Sequence, residues 1–246
     1  MADYDSNRIT RGRTAEAGVI DAGLRAYMLR VYNYMLIGLA LTGATAWMTV
    51  STPLLGLFYQ VTPKGIGLSM LGWVALFAPF IMVMVLSFRI NRMSLGSAQA
   101  LFWAYAGVMG ISLAPIFLIY TGAAITQTFF ITAATFGAMS LWGYTTQRDL
   151  TGMGSFLFMG LIGIIIASLV NLFLQSSMMS WIISVVGVLV FTGLTAYDTQ
   201  WIKNSYSEMD DGSVAGRKAI FGALKLYLDF VNLFLMLLRL FGGGRR

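Results

Sequence analysis

The chain is a succession of long apolar runs broken by short polar segments. After a polar stretch over residues 1–30, apolar runs occupy roughly 31–51, 67–88, 97–119, 123–143, 153–174, 179–201 and 219–241. Each comes close to the ~20 residues that a helix needs to cross a ~30 Å hydrocarbon core. The runs lack the period-two alternation that marks a spanning barrel. In lipid, backbone groups must be satisfied within the segment, so helices are the remaining solution. The pattern predicts an all-α integral membrane protein with seven transmembrane helices. Residues 1–30 form a polar tail, flexible or lying on the membrane surface, and residues 31–246 form the transmembrane domain.

The connections carry turn signals. Pro53 and Pro63 punctuate the first loop, and Arg148, Asp149, Gly152 and Gly154 mark the fourth. The longest internal connection, about 202–218, holds Lys203, Glu208, Asp210, Asp211, Arg217 and Lys218. Pro115 predicts a kink in the third run. Ala44-Thr45-Ala46 could pass for a signal-peptide cleavage site, but the charged leader is too long and the apolar run continues past it.

Composition agrees with the pattern. Hydrophobic residues make up 58% of the chain and charged ones 11%, too few to clothe a soluble domain of 246 residues. There are no cysteines and no histidines. Disulfides, Cys/His zinc sites, thiol nucleophiles and an imidazole base are thereby excluded. No cofactor is expected. The net charge of +6 reads as membrane topology rather than nucleic-acid binding. With the N-terminus inside, Lys and Arg of the tail and loops divide eleven to one in favour of the cytoplasmic side, the exception being Lys64. The N-terminus is therefore expected to be cytoplasmic. Seven full spans would leave Arg239, Arg245 and Arg246 near the outer face. A re-entrant last segment would return them, but 219–241 is long enough to cross, and the full span is preferred.

Candidate chemistry lies with the acids. Of ten, only Asp198 and Asp229 fall within predicted spans. A carboxylate at that depth is costly and normally faces the bundle interior or a wet cavity. Thr192, Thr195, Asp198 and Thr199 share one helical stripe in the sixth span, and Lys225, Asp229, Asn232 and Arg239 share one in the seventh. The two stripes are expected to face each other. Asp198 and Asp229 would then share a proton and titrate as a pair. Arg89, at the inner end of the second span, lies at a level from which it could reach Asp198. The bland alternative is that Lys225 and Asp229 neutralise each other at i, i+4.

Three segments carry a family resemblance. Phe191-Thr192-Gly193-Leu194-Thr195-Ala196-Tyr197-Asp198-Thr199-Gln200 resembles the signature of the Bax inhibitor-1 family, as does Leu224-Lys225-Leu226-Tyr227-Leu228-Asp229-Phe230-Val231-Asn232-Leu233-Phe234-Leu235 followed by Leu238-Arg239. Gly110-Ile111-Ser112-Leu113-Ala114-Pro115 is similar to a third family segment. Length and the polar tail fit the bacterial branch, and with it an inner membrane. The resemblance implies a seven-helix fold with the last helix surrounded by the other six. It also implies a proton-sensitive calcium leak in which Asp198 and Asp229 sense pH and line the ion pathway, and in which an arginine, here best matched by Arg89, latches to one of them. The second span holds no acidic residue, and the long lysine-rich C-terminal run of eukaryotic members is absent. Calcium takes six to eight oxygen ligands and two carboxylates supply at most four. Asp198 and Asp229 would thus form a transient metal site, helped by water, carbonyls or hydroxyls such as Thr195 and Thr199, with Lys225 and Asn232 as supporting polar groups.

Two other functions compete. The family's bacterial branch includes proteins that modulate a membrane-anchored AAA protease, and residues 1–30 could serve as that handle. Tyr197-Asp198 also matches half of the intramembrane aspartyl protease pattern. The other half fails, since Asp229 has no Gly-x-Gly before it and no Pro-Ala-Leu occurs. An enzyme is therefore not expected. Membrane lipid, calcium and that protease are the expected partners.

Overall fold

The computed structural model describes residues 2–62 and 65–243, with the side chains of 2–21, 61, 62 and 66 outside the description. The side chains of the tail up to Asp21, with Pro63, Lys64 and Arg245-Arg246, therefore lie outside the described residues, and so does most of the protease-handle expectation.

Helix α1 runs Ala2–Ser51, and its apolar part, Ala22–Ser51, is the first of seven helices long and apolar enough to cross a membrane. The short α2 (Leu55–Phe58) leads into a hairpin of β1 (Tyr59–Thr62) and β2 (Gly65–Leu68), paired antiparallel with Tyr59 opposite Leu68 and Val61 opposite Ile66. The sequence reading took this stretch for a plain loop. Then come α3 (Met70–Arg89) with a 3-10 turn at Ile90–Arg92, α4 (Leu95–Leu113), the short α5 (Ile116–Ile119), α6 (Gly122–Thr145), α7 (Thr151–Leu174), α8 (Ser177–Ser205) and α9 (Gly212–Phe241). The protein is a seven-span α-helical integral membrane protein.

Local chemistry sets the boundaries. Ser69, Ser94, Thr121, Ser176 and Asp211 each sit extended before a helix and accept a hydrogen bond from a first-turn N–H. Gln175 closes α7 in the left-handed region at φ 51°. Pro115 ends α4 and opens α5, so the third span breaks where the sequence placed a kink. The last helix is unbroken over 30 residues, about 45 Å at 1.5 Å per residue, which is long enough for a full span.

Helix α9 is the axis of the bundle. Two-thirds of its most apolar window is buried (67%), against 11–39% for the other six spans. It packs on α1, α4, α6 and α8. Helices α3 and α7 stand outside this ring, packed on α4 and α8 respectively. Fully buried Leu224, Leu226, Tyr227 and Leu233 of α9 anchor the core, and Tyr227 stands edge-on to Phe102 and Tyr105 of α4. Gly110 lets α4 approach α1 closely, because a Cβ there would run into the Thr42 backbone and the Thr45 side chain.

Candidate functional site

The α8–α9 hairpin builds the site. The two helices are offset. The Lys218 ammonium donates to the carbonyl of Ser205 (3.0 Å), so the last residue of α8 lies level with the second turn of α9. This offset brings Asp198 level with Lys225 and Asp229. Close packing keeps the register. Ile202 lies against Gly222, and Gly143 of α6 lies against the backbone of Ala196.

Lys225 donates from Nζ to Asp198 Oδ1 at 2.6 Å. The ammonium also lies 4.9 Å from the Trp201 ring centre. Lys225 therefore crosses to α8 rather than pairing with Asp229 four residues on. Asp198 and Asp229 are only 6% and 4% exposed. Both carboxyls line the same cavity, so two charges there would repel and one proton held between them would relieve the repulsion. No donor reaches Oδ2 of Asp229, one of two buried side-chain polar atoms without a partner among the described residues, the other being Thr192 Oγ1. An unpaired charge so placed would cost several kcal/mol, which makes the pair a high-energy element of the fold.

The three groups face a cavity of about 620 Å³ between α3 and α7. Ser87 of α3, Gly154 and Ser155 of α7, Tyr197 of α8 and Asn232 of α9 complete its polar lining. Asn232 is held by a 2.8 Å hydrogen bond to the carbonyl of Leu228. Gly154 is required where it stands, because a Cβ would collide with the Tyr197 ring.

Other expected members are elsewhere. Thr195 donates to the carbonyl of Phe191, and Thr199 to that of Thr195, on a face of α8 that turns to α6. There Thr199 meets Ser140 at 2.9 Å, and Ser140 meets the Tyr32 hydroxyl at 2.6 Å. A residue step turns a helix by 100°, so Thr199 is a neighbour of Asp198 in sequence but not on its face. Neither threonine lines the cavity. Arg89 is exposed at the end of α3 and makes no ion pair among the described residues. The Tyr32–Ser140–Thr199 chain, the Thr42–Tyr227 bond (2.7 Å) and the crossing of Lys225 escaped the sequence reading, since each depends on which helices become neighbours.

Seven spans about a central helix, with ionisable side chains buried inside the bundle beside a cavity, define a polytopic membrane protein. The family model described as inhibitor of apoptosis-promoting Bax1 matches residues 24–246, and the chain belongs to the Bax inhibitor-1 family. It is 48% identical over 246 residues to an uncharacterized protein of Rickettsia prowazekii, covering all of both chains. It is 48% identical over 227 residues to the inner membrane protein YbhL of Escherichia coli, covering 91% of this chain and 94% of that one. An uncharacterized membrane protein of Streptococcus pyogenes is 36% identical over 226 residues, 90% of this chain and 94% of that one.

Proposed function

We propose that this chain is a proton-sensitive calcium leak of a bacterial inner membrane, oriented with its N-terminus in the cytoplasm and controlled at Asp198 and Asp229. The membrane assignment leans on the printed name of YbhL. The observation that carries the reading is the buried Asp198–Asp229 pair, neutralised by Lys225, at a polar cavity. With one shared proton, two carboxyls and one ammonium sum to no net charge. Loss of that proton leaves one negative charge in a water-poor site. It draws a cation in and sets like charges on α8 and α9 against each other, so the leak rises with pH. Calcium would find up to four carboxylate oxygens there and take the rest of its shell from water, because Thr195 and Thr199 point elsewhere. That is a weak site in transit. Arg89 is the candidate for a second, latched arrangement in which its guanidinium replaces the Lys225 ammonium on Asp198. An aspartyl-protease reading fares worse, because Lys225 occupies the Asp198 oxygen that such a dyad needs to activate water.

The test is calcium flux into proteoliposomes from acidic to mildly alkaline pH, for wild type, Asp198→Asn and Asp229→Asn. The expected result is a leak that rises with pH in wild type and loses that dependence in both variants. A leak indifferent to pH, or a pH response that survives both substitutions, overturns the proposal.

A further inference from the structure

Helices α1 and α6 both pack on α9, and they meet each other through the Tyr32–Ser140 hydrogen bond of 2.6 Å. The seam between them is a hollow of about 580 Å³ lined by Met28, Leu36, Phe136, Gly137 and Leu141 among others. Its inner end is closed by Phe230 of α9, which stands edge-on to Phe129 and Phe136 with ring centres 5.6 and 5.5 Å away. Its lining on α1 extends from Arg25 to Leu36. Eleven residue steps of helix are about 17 Å. One leaflet of a ~30 Å hydrocarbon core is about 15 Å deep. The hollow is thus as long as a single acyl chain lying within one leaflet.

The mouth is basic. Arg25 stands near the start of the first span, exposed and with no ion-pair partner among the described residues. Tyr144 lies at the same end, and the Lys203 ammonium sits 5.3 Å from its ring centre while donating to its carbonyl. A greasy slot one leaflet deep with cations at its mouth is complementary to one molecule in its surroundings, a phospholipid with an acidic headgroup. We propose that the α1–α6 hollow binds one acyl chain of an anionic phospholipid, whose headgroup phosphate is held by Arg25. Apolar burial along the slot gives affinity, and the guanidinium–phosphate contact gives headgroup selectivity.

Gly137 makes the test clean. It lines the hollow, and a Cβ at this position meets nothing within 4 Å, so a larger side chain fills the slot without disturbing its neighbours. The full-length protein, delipidated in detergent, is titrated with palmitoyl-oleoyl phosphatidylglycerol, with phosphatidylcholine of the same chains and with free palmitate. Native mass spectrometry counts the bound molecules. One phosphatidylglycerol should be retained at a concentration about fivefold lower than phosphatidylcholine, the preference that one interfacial cation supplies. Arg25→Gln should erase that difference. Gly137→Leu should abolish retention of both while the thermal unfolding midpoint stays put. Equal retention of the two phospholipids by wild type, or retention intact in Gly137→Leu, overturns the proposal. Palmitate competing as well as phosphatidylglycerol overturns the phospholipid assignment. None of these readouts depends on calcium flux.

Discussion

Replacing Lys225 by Met separates two quantities, the strength of the fold and the height of the barrier to a cation. The Lys225–Asp198 bridge is 2.6 Å long, with side chains 27% and 8% exposed. Breaking a fully buried pair costs about 3–5 kcal/mol. An exposed pair contributes about 0.2–1 kcal/mol. The partial exposure of Lys225 puts this bridge between those limits, at about 2 kcal/mol. The effect on flux runs the other way. A divalent ion ~5 Å from the ammonium is repelled by about 7 kcal/mol at an effective dielectric of ~20, and by about 1.7 kcal/mol even at the value for bulk water. Each 1.4 kcal/mol is a factor of ten, so the lower limit already exceeds tenfold. Lys225→Met should therefore unfold at lower temperature yet leak calcium at least about tenfold faster in proteoliposomes. Lys225→Arg, which keeps the charge, should leak like wild type. Adding Asp198→Asn to Lys225→Met removes the stranded carboxylate, and should recover part of the stability and cancel most of the extra flux. A Lys225→Met protein that folds but leaks no faster would refute the view that this ammonium holds the cation site.

Two further predictions concern groups away from the cavity. Asp211 caps α9 by accepting from the backbone N–H groups of Ser213 and Val214, and these bonds hold its carboxyl below the usual carboxylate range. Its contribution is thus present above the unfolded value of about 4 and is lost as pH falls through the lower folded value; Asp211→Ala should lower stability at neutral pH and flatten the acid limb of the unfolding profile. Tyr227→Phe removes a buried hydroxyl from Thr42, but Thr42 keeps its bonds to the carbonyls of Gly38 and Ala106, so the loss should be about 1 kcal/mol in chemical denaturation.

The fold was legible because lipid forces it. A run of about 20 apolar residues has one stable form in a bilayer, and the seven runs became seven spans whose ends moved by a few residues at most positions. The first span begins at Ala22 and α9 at Gly212, both earlier than hydropathy placed them, because polar turns at a membrane surface can remain helical. The hairpin at Tyr59–Leu68 was missed because four-residue strands carry almost no periodicity. Asp198 and Asp229 were legible for the reason the spans were, since charge in an apolar run stands out. Their partner was not. A face on a helical wheel says which residues lie together on one helix, so it offered Lys225 to Asp229. Which residue meets Lys225 depends on the α8–α9 offset, and that offset is set by packing such as Ile202 against Gly222. Thr195 and Thr199 do not line the cavity, because a polar stripe as wide as theirs faces two neighbours, and Thr199 turns to Ser140 of α6.

The position of α9 explains why one helix can carry so much charge through a membrane. An ammonium and a carboxyl exposed to lipid would be expensive at this depth. Here α1, α4, α6 and α8 screen the axis, and a crevice between α3 and α7 reaches the site. The two openings in the wall then differ in kind. The α3–α7 crevice sets hydroxyl, amide and charged groups among apolar walls such as Phe158, Leu161 and Phe191, whereas the α1–α6 seam is more apolar, its polar groups being Arg25, Tyr32, Ser140 and Tyr144. Asp229 and Phe230, adjacent on α9, each floor one of them. A turn of α9 could not move one floor without the other. The proposed pH response and the proposed lipid occupancy would therefore be tied to the same rigid rod.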